Sequence, residues 1–212
     1  MAEPLVGLSC SEFASALAAR RPMPGGGGAA ALAGALAAAL CSMAGEFTVG
    51  KPRFADVEDD VRRMLEEAAR LRGRLVELVD EDAVGFEPLH LAYALPKDDP
   101  TRDARIEEAT KGACEAPLAM MRSCARTVEL LEEMGQKCSC LLLPDVGCGA
   151  ALAASALKAA SMNVYANTAL LRDRVAAEQI ECEADDLIGT YVARADALAE
   201  AIAARVRGSQ HG

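Results

Sequence analysis

One acidic side chain in an apolar helical pattern is the clearest candidate for chemistry in this sequence. Apolar residues recur at three- and four-residue steps between 75 and 93, the spacing of one helix face, and Asp82 lies on that face between Leu78 and Phe86. Partial burial of a carboxyl group raises its pKa toward the range that a general acid or base needs near neutral pH. A salt-bridged or water-linked structural aspartate is the alternative.

A carboxylate pair would require a second acid on the same helix face as Asp82, and Asp80 is a candidate. It lies two residues before Asp82, which is about 200° around a helix. The two side chains therefore cannot share a face, and we expect Asp80 to be solvated.

A run of four glycines, Gly25, Gly26, Gly27 and Gly28, precedes an alanine-rich helix. We expect a loop whose free N–H groups and following helix dipole could hold an anion. The run lacks the strand, the lysine and the hydroxyl residue of a nucleotide-binding P-loop. A plain flexible connection is an equally good interpretation.

Polar residues on a later small-residue helix are the next candidates. Asn163 and Asn167 are one turn apart among alanines and leucines, and a buried amide needs a partner, either a ligand or a facing helix. Asp145 is expected to be the N-cap of the same helix, with ligand binding as the alternative.

Basic residues concentrate at predicted helix ends and connections. Most such charges are solvated, but a group of them near the glycines would hold a carboxylated ligand in spite of the acidic total. The residues concerned are Arg20, Arg21, Lys51, Arg53 and Lys97.

The elements that must position these side chains are helices. The hydrophobic content is 52% but the aromatic content is only 3%, which favours closely packed helices over strands. We predict an all-α, up-and-down bundle of about five long helices in one domain over 1–207, followed by a flexible tail over 208–212. A capping box over Ser9-Cys10-Ser11-Glu12 predicts a short amphipathic helix at the start of the chain. The long helices are predicted at about 29–45, 56–94 (bent at Gly85 and Pro88), 101–134 (irregular near Pro117), 145–171 and 172–207.

Composition restricts the partners of the chain. A net charge of −10 argues against nucleic-acid binding. The eight cysteines form no CxxC pair and there are two histidines, so we expect no metal site. We also expect the cysteines to be reduced thiols of a cytoplasmic protein. The apolar run 29–44 is shorter than a membrane span. An apolar face exposed on one bundle predicts a homodimer.

Several segments, taken in order, resemble the cyclodeaminase domain of formiminotransferase-cyclodeaminases and the stand-alone methenyltetrahydrofolate cyclohydrolases of bacteria. They cover nearly the whole chain and read MPGGGGAAALAGALAAAL, TVGKPRF, VDEDAVGFEPLHLAYALPKD, ATKGACEAPL and PDVGCGAALAASALKAASMNVYAN. The chain departs from the family pattern at Gly28, where the family usually has serine, and at 135–145, where Gly-Asn-x-Asn and Ser-Asp are replaced.

The resemblance implies an all-helical homodimer that needs no metal or redox cofactor. It implies conversion of 5-formiminotetrahydrofolate to 5,10-methenyltetrahydrofolate with release of ammonia, with a separate glutamate formiminotransferase as a possible partner. The alternatives are hydrolysis of the methenyl compound to 10-formyltetrahydrofolate and a non-catalytic dimer of the same fold. Asp82 matches the family's catalytic aspartate, and the expected substrate contacts are Gly25, Gly26, Gly27, Lys51, Arg53, Phe86, Lys97, Asp145, Asn163 and Asn167.

Overall fold

A computed structural model describes residues 4–208, and within that range the chain is helical and contains no strand. The helices are α1 (Cys10–Ala18), α2 (Gly26–Glu46), α3 (Glu58–Ala94), α4 (Arg102–Ala113), α5 (Glu115–Lys137), α6 (Leu143–Thr168), α7 (Arg174–Leu187) and α8 (Ala193–Gly208). Short 3-10 segments lie at Leu5–Gly7, Pro52–Val57 and Cys140–Leu142, and one π-helical turn, Ile188–Val192, joins α7 to α8. The predicted all-α bundle is confirmed.

The first helix starts where local sequence signals place it. Ser9 accepts a hydrogen bond from the backbone N–H of Glu12, and the Glu12 carboxylate accepts one from the backbone N–H of Ser9. This reciprocal capping box satisfies two backbone donors that a helix leaves unpaired at its start.

α2 and α6 form the centre of the molecule and run antiparallel. Alanine and glycine occupy most of their contact positions, which lets the backbones approach closely. A methyl group at Gly149 of α6 would lie only 3.3 Å from the Ala37 carbonyl oxygen of α2. By length and composition both helices could cross a membrane. In the bundle, however, 61% of the most apolar part of α2 and 50% of that of the segment Cys140–Thr168, which includes α6, are buried. They are therefore read as core helices.

The buried core fills the space between α2, α3, α5 and α6. Its largest fully buried side chains are leucines and methionines, as the scarcity of aromatic residues requires. They include Met64, Leu75, Leu78, Met120, Met121, Leu130, Leu131, Met134 and Leu157. Burial of this apolar surface is the main favourable term in folding.

Three predicted boundaries were wrong. The glycine run is not a loop, because Gly26 to Gly28 form the first turn of α2 and only Gly25 precedes it as the N-cap. The irregularity predicted near Pro117 in the helix over 101–134 is a full break at Cys114, three residues earlier, and Pro117 lies in the first turn of α5, where a missing N–H is tolerated. Asp145 is not an N-cap, since α6 already begins at Leu143.

The C-terminal part of the bundle follows the prediction more closely. Asp173 caps α7 by accepting a hydrogen bond from the backbone N–H of Ala176 at 3.1 Å. Gly208, predicted as the start of the tail, is the last residue of α8, and 209–212 lie outside the described residues.

α3 is the helix that carries Asp82, and it continues through Gly85 and Pro88 without interruption. Asp80 is not simply solvated. It is half-buried and accepts a hydrogen bond of 2.7 Å from the backbone N–H of Leu5, so it fixes the N-terminal segment against α3.

Candidate active site

Asp82 lies against the N-terminal turn of α2. A methyl group at Gly27 would be 2.3 Å from Asp82 Oδ1, far inside van der Waals contact, so the carboxylate occupies the space that the absent side chain leaves. The backbone N–H of Gly28 interacts with the same carboxylate. Glycine at position 27 is therefore needed for the approach of α3 to α2 at this point.

The surroundings of Asp82 alter its acidity. Burial raises the pKa of the Asp82 carboxyl above its ordinary value, and the interaction with the Gly28 N–H opposes that rise in part. The helix dipole of α2 also favours a negative charge at this position. The result is a carboxyl group suited to proton transfer, as the sequence predicted.

The two asparagines of α6 are close to the same turn. The Asn163 amide lies 3.7 Å from the position of a methyl group at Gly26, and its Nδ2 donates to the Ala159 carbonyl oxygen at 3.0 Å. Asn167 Nδ2 donates to the carbonyl oxygen of Ala113 at 2.9 Å, which ties α6 to the end of α4.

These groups line one cleft of about 240 Å³ between α2, α3 and α6. It contains the predicted Asp82, Phe86, Asn163 and Asn167, together with glycines of the α2 start. Its full lining is Pro22, Met23, Gly25, Gly26, Gly27, Asp82, Phe86, Ala113, Asn163, Ala166 and Asn167.

A larger groove of about 880 Å³ lies between the C-terminal half of α3 and α4. It is open and mostly apolar, with Arg105, Glu108 and Glu115 as its charged residues. None of the residues predicted to act on a substrate lines it. We therefore place the candidate site in the smaller cleft, where those residues converge.

Four of the predicted substrate contacts lie outside this cleft within a single chain. Lys51 and Arg53 follow the C-terminal end of α2, about 30 Å from Gly26 by the helical rise, so the expected grouping with the glycines was wrong. Asp145 lies in the first turn of α6, about 27 Å along the helix from Asn163. Lys97 is exposed beyond the end of α3, more than three turns from Asp82.

Four residues of the cleft lining were not predicted from the sequence, namely Pro22, Met23, Ala113 and Ala166. They are small or apolar and carry no chemical signal of their own. Met23 and Ala113 do lie in two of the segments that carry the family resemblance, and Ala166 lies between the two asparagines.

The comparisons with known proteins fit this geometry. The family model described as formiminotransferase-cyclodeaminase matches residues 9–186, which include every residue that lines the cleft. The chain belongs to the formiminotransferase-cyclodeaminase family. Its homologues are folate one-carbon enzymes that carry cyclodeaminase or methenyltetrahydrofolate cyclohydrolase names.

Three relatives of this family member are informative. A methenyltetrahydrofolate cyclohydrolase of Methylorubrum extorquens is 36% identical over 198 residues, 92% of this chain and 95% of that protein. The formimidoyltransferase-cyclodeaminase of Rattus norvegicus is 31% identical over 179 residues, 82% of this chain but 33% of the rat protein. A solved structure of formiminotetrahydrofolate cyclodeaminase from Thermotoga maritima is 27% identical, with a TM-score of 0.82 over 92% of this chain and 98% of that chain.

Proposed function

We propose that the chain is a methenyltetrahydrofolate cyclohydrolase whose proton-transfer group is Asp82. The observation that carries the proposal is the half-buried Asp82 carboxylate in a cleft formed by the family's glycine and asparagine segments. The Methylorubrum enzyme, which is similar over almost its whole length, supports hydrolysis as the reaction.

The cleft provides what the hydrolysis requires. The ionised Asp82 carboxylate takes a proton from a water molecule as the water oxygen attacks the methenyl carbon. The C–N5 bond then breaks, N5 receives the proton from the Asp82 carboxyl, and the remaining hydroxyl proton is released as the formyl C=O forms. The sum is one water consumed, one N–H formed and one proton released. Phe86 offers an aromatic surface on which the ligand's ring can stack.

The second candidate reaction is cyclodeamination of 5-formiminotetrahydrofolate, which the Thermotoga structural relative supports. N10 would attack the carbon of the protonated formimino group, and Asp82 would take the proton from N10 and pass it to the departing nitrogen. That nitrogen leaves as ammonia while the methenyl cation forms. Both reactions need one proton shuttle and an anion beside a cationic amidine, so Asp82 would serve either.

We further propose that the working unit is a homodimer. One stripe of α2 from Ala29 to Met43 is apolar and unpartnered in the single chain, with Leu36 51% and Met43 40% exposed, and Phe47, which follows the helix, is 52% exposed. The adjacent α6 exposes Met162 at 62%. Contiguous apolar surface of this kind marks an interaction site, and a self-complementary stripe on antiparallel helices suits a second copy.

A two-fold dimer on this stripe would explain the distant basic residues. An axis near Leu36, midway along α2, would place the partner's C-terminal end of α2 beside Gly26 of the first chain. Lys51 and Arg53 of one copy would then contact the glutamate carboxylates of the ligand that the other copy binds.

The volume of the cleft also fits a ligand that extends beyond it. At about 240 Å³ the cleft is smaller than the roughly 300–1,000 Å³ that drug-sized ligands occupy, so part of a folate must lie outside it.

The proposed activity is tested by incubating the purified protein with each folate separately. Loss of methenyl absorbance faster than the uncatalysed rate, without ammonia, is expected for the hydrolase. Ammonia release from 5-formiminotetrahydrofolate would instead assign the cyclodeaminase. Failure to convert either compound would overturn the enzymatic proposal in favour of a non-catalytic dimer.

A further inference from the structure

The electrostatic character of the Asp82 cleft is unusual for a site that binds an anionic vitamin derivative. Asp82 is the one ionisable side chain in its lining, and no lysine, arginine or histidine of the described residues lines it. The other polar side chains that line it are the amides of Asn163 and Asn167. A cation bound in the cleft would therefore be attracted by the Asp82 carboxylate, and no basic side chain of the lining would repel it.

Two hydrogen bonds fix which end of each amide is available. Asn163 Nδ2 donates to the Ala159 carbonyl oxygen, and Asn167 Nδ2 donates to the Ala113 carbonyl oxygen. Among the described residues, no group donates a hydrogen bond to Oδ1 of either side chain. Each amide thus keeps its oxygen as an open acceptor.

The acceptors are grouped around the start of α2. The Asn163 amide lies 3.7 Å from a methyl position at Gly26, and Asp82 Oδ1 lies 2.3 Å from one at Gly27. These glycines are consecutive, so the amide of Asn163 and the carboxylate of Asp82 flank the same helical turn. Asn167 is one turn beyond Asn163 on α6.

We infer that Asn163 and Asn167 make this cleft selective for the positively charged form of the one-carbon unit. The inference rests on the proposed function and specifies which state of the ligand the site binds. The methenyl group is an amidinium cation, whereas the formyl group produced by hydrolysis is neutral. The Asp82 carboxylate and the negative ends of the two amide dipoles attract the cation more strongly than the neutral formyl group, so the loss of charge during the reaction weakens product binding.

The test compares Asn163→Asp with Asn163→Leu in an Asp82→Asn background, in which turnover is expected to be about 10² to 10⁴-fold slower. Aspartate keeps Oδ1 and adds negative charge, whereas leucine keeps the approximate shape and removes the acceptor. Dissociation constants are measured for 5,10-methenyltetrahydrofolate and 10-formyltetrahydrofolate by titration. The preference for the methenyl compound should rise about tenfold in Asn163→Asp and fall about tenfold in Asn163→Leu.

A second readout uses the active enzyme. A new carboxylate at position 163 should raise the pKa of Asp82 through like-charge repulsion, so the acid limb of the kcat profile should move to higher pH in Asn163→Asp. Asn163→Leu adds no charge, so it is the control in which like-charge repulsion does not raise the pKa of Asp82. The shift tests whether position 163 and Asp82 lie close enough to act on one ligand, and its absence in Asn163→Asp would overturn the inference.

The outcomes separate the inference from the function. If the Asp82→Asn parent binds the methenyl compound but Asn163→Asp loses affinity as strongly as Asn163→Leu, the amide acts as a donor and the inference is wrong while the function stands. If the wild type converts neither folate, the proposed function fails and the inference fails with it. Circular dichroism checks folding. Should Asn163→Asp unfold, Asn163→Ser replaces it and should keep the methenyl affinity within a few-fold.

Discussion

At the scale of the residue, the burial that prepares Asp82 for proton transfer also lowers the stability of the folded chain when the carboxyl is ionised. The folded-state pKa of Asp82 is raised by burial. Its contribution to stability is therefore fully present below the unfolded-state pKa, near 3.9, and is lost as the pH rises through the raised folded value. At neutral pH the ionised carboxylate destabilises the folded chain while it prepares the group for proton transfer.

Asp82→Asn should thus separate activity from stability. We expect kcat to fall by about 10² to 10⁴-fold, because the proton shuttle is lost. The Tm at pH 7 should be equal to that of the wild type or higher, because the amide carries no charge to desolvate. Steady-state kinetics and thermal unfolding measure the two effects, and a variant that is both active and less stable would contradict this role for Asp82.

The pH dependence of turnover is a separate prediction at this scale. If Asp82 acts first as a base, kcat should fall as the pH drops through the raised pKa of Asp82, above the ordinary aspartate range. The profile is recorded for the wild type and for Asp82→Asn. The residual activity of the variant should lack this acid limb, and an identical limb in both proteins would assign the titration to another group.

At the scale of the element, the start of α2 offers a matched pair of glycines. A methyl group at Gly27 would collide with Asp82 Oδ1 at 2.3 Å, whereas one at Gly28 would meet Pro24 and Val79 side-chain atoms at an ordinary 3.7 Å. The two positions are consecutive in the same helical turn. Their substitution by alanine therefore compares nearly the same backbone change with and without displacement of the carboxylate.

Gly27→Ala should lower kcat by at least about 10²-fold and destabilise the chain by roughly 1–3 kcal/mol through overpacking. Gly28→Ala should retain activity and gain about 0.5–1 kcal/mol, because alanine is the better helix former. Denaturant unfolding and initial rates decide the matter. Equal loss of activity in both variants would show that the turn itself, and not the Asp82 contact, is sensitive.

The elements were largely predictable from sequence, and their exact starts were not. Periodicity located α3 and the face that carries Asp82, and the Ser9–Glu12 pair located α1. The glycine run was mistaken for a loop because glycine has low intrinsic helix propensity. The contact between Gly27 and Asp82 outweighs this low propensity, because a larger residue at position 27 would exclude the Asp82 carboxylate.

The site was predictable only in part, for a related reason. Asp82, Phe86, Asn163 and Asn167 lie at helical spacings on two elements, so their convergence needs only that α3 and α6 both contact α2. Lys51 and Arg53 were misplaced because the glycines begin α2 and the two basic residues follow its C-terminal end, so the length of that one helix separates them by about 30 Å. The approach of α6 to the glycines, in contrast, depends on packing between distant segments and could not be predicted from local sequence.

At the scale of the whole molecule, the exposed α2 stripe predicts association. Leu36→Glu places a charge in the middle of the proposed interface and should convert the dimer to a monomer, with a large loss of activity if Lys51 and Arg53 act across it. Val175→Glu is the control, because Val175 is 68% exposed on α7, away from the stripe. Light scattering after size exclusion measures both, and a Leu36→Glu variant that remains dimeric would place the interface elsewhere.

The close approach of α2 and α6 also governs how the cleft can move. With the Ala37 carbonyl 3.3 Å from a methyl position at Gly149, there is little room for one helix to slide or rotate past the other. We therefore expect Gly27 and Asn163, which these helices carry, to keep a nearly constant separation through a catalytic cycle. Entry and exit of a ligand would then depend on movable side chains of the lining, such as Met23 and Phe86, of which Phe86 is 37% exposed. Gating then requires rotamer changes, which are faster than the domain motions that limit many enzymes.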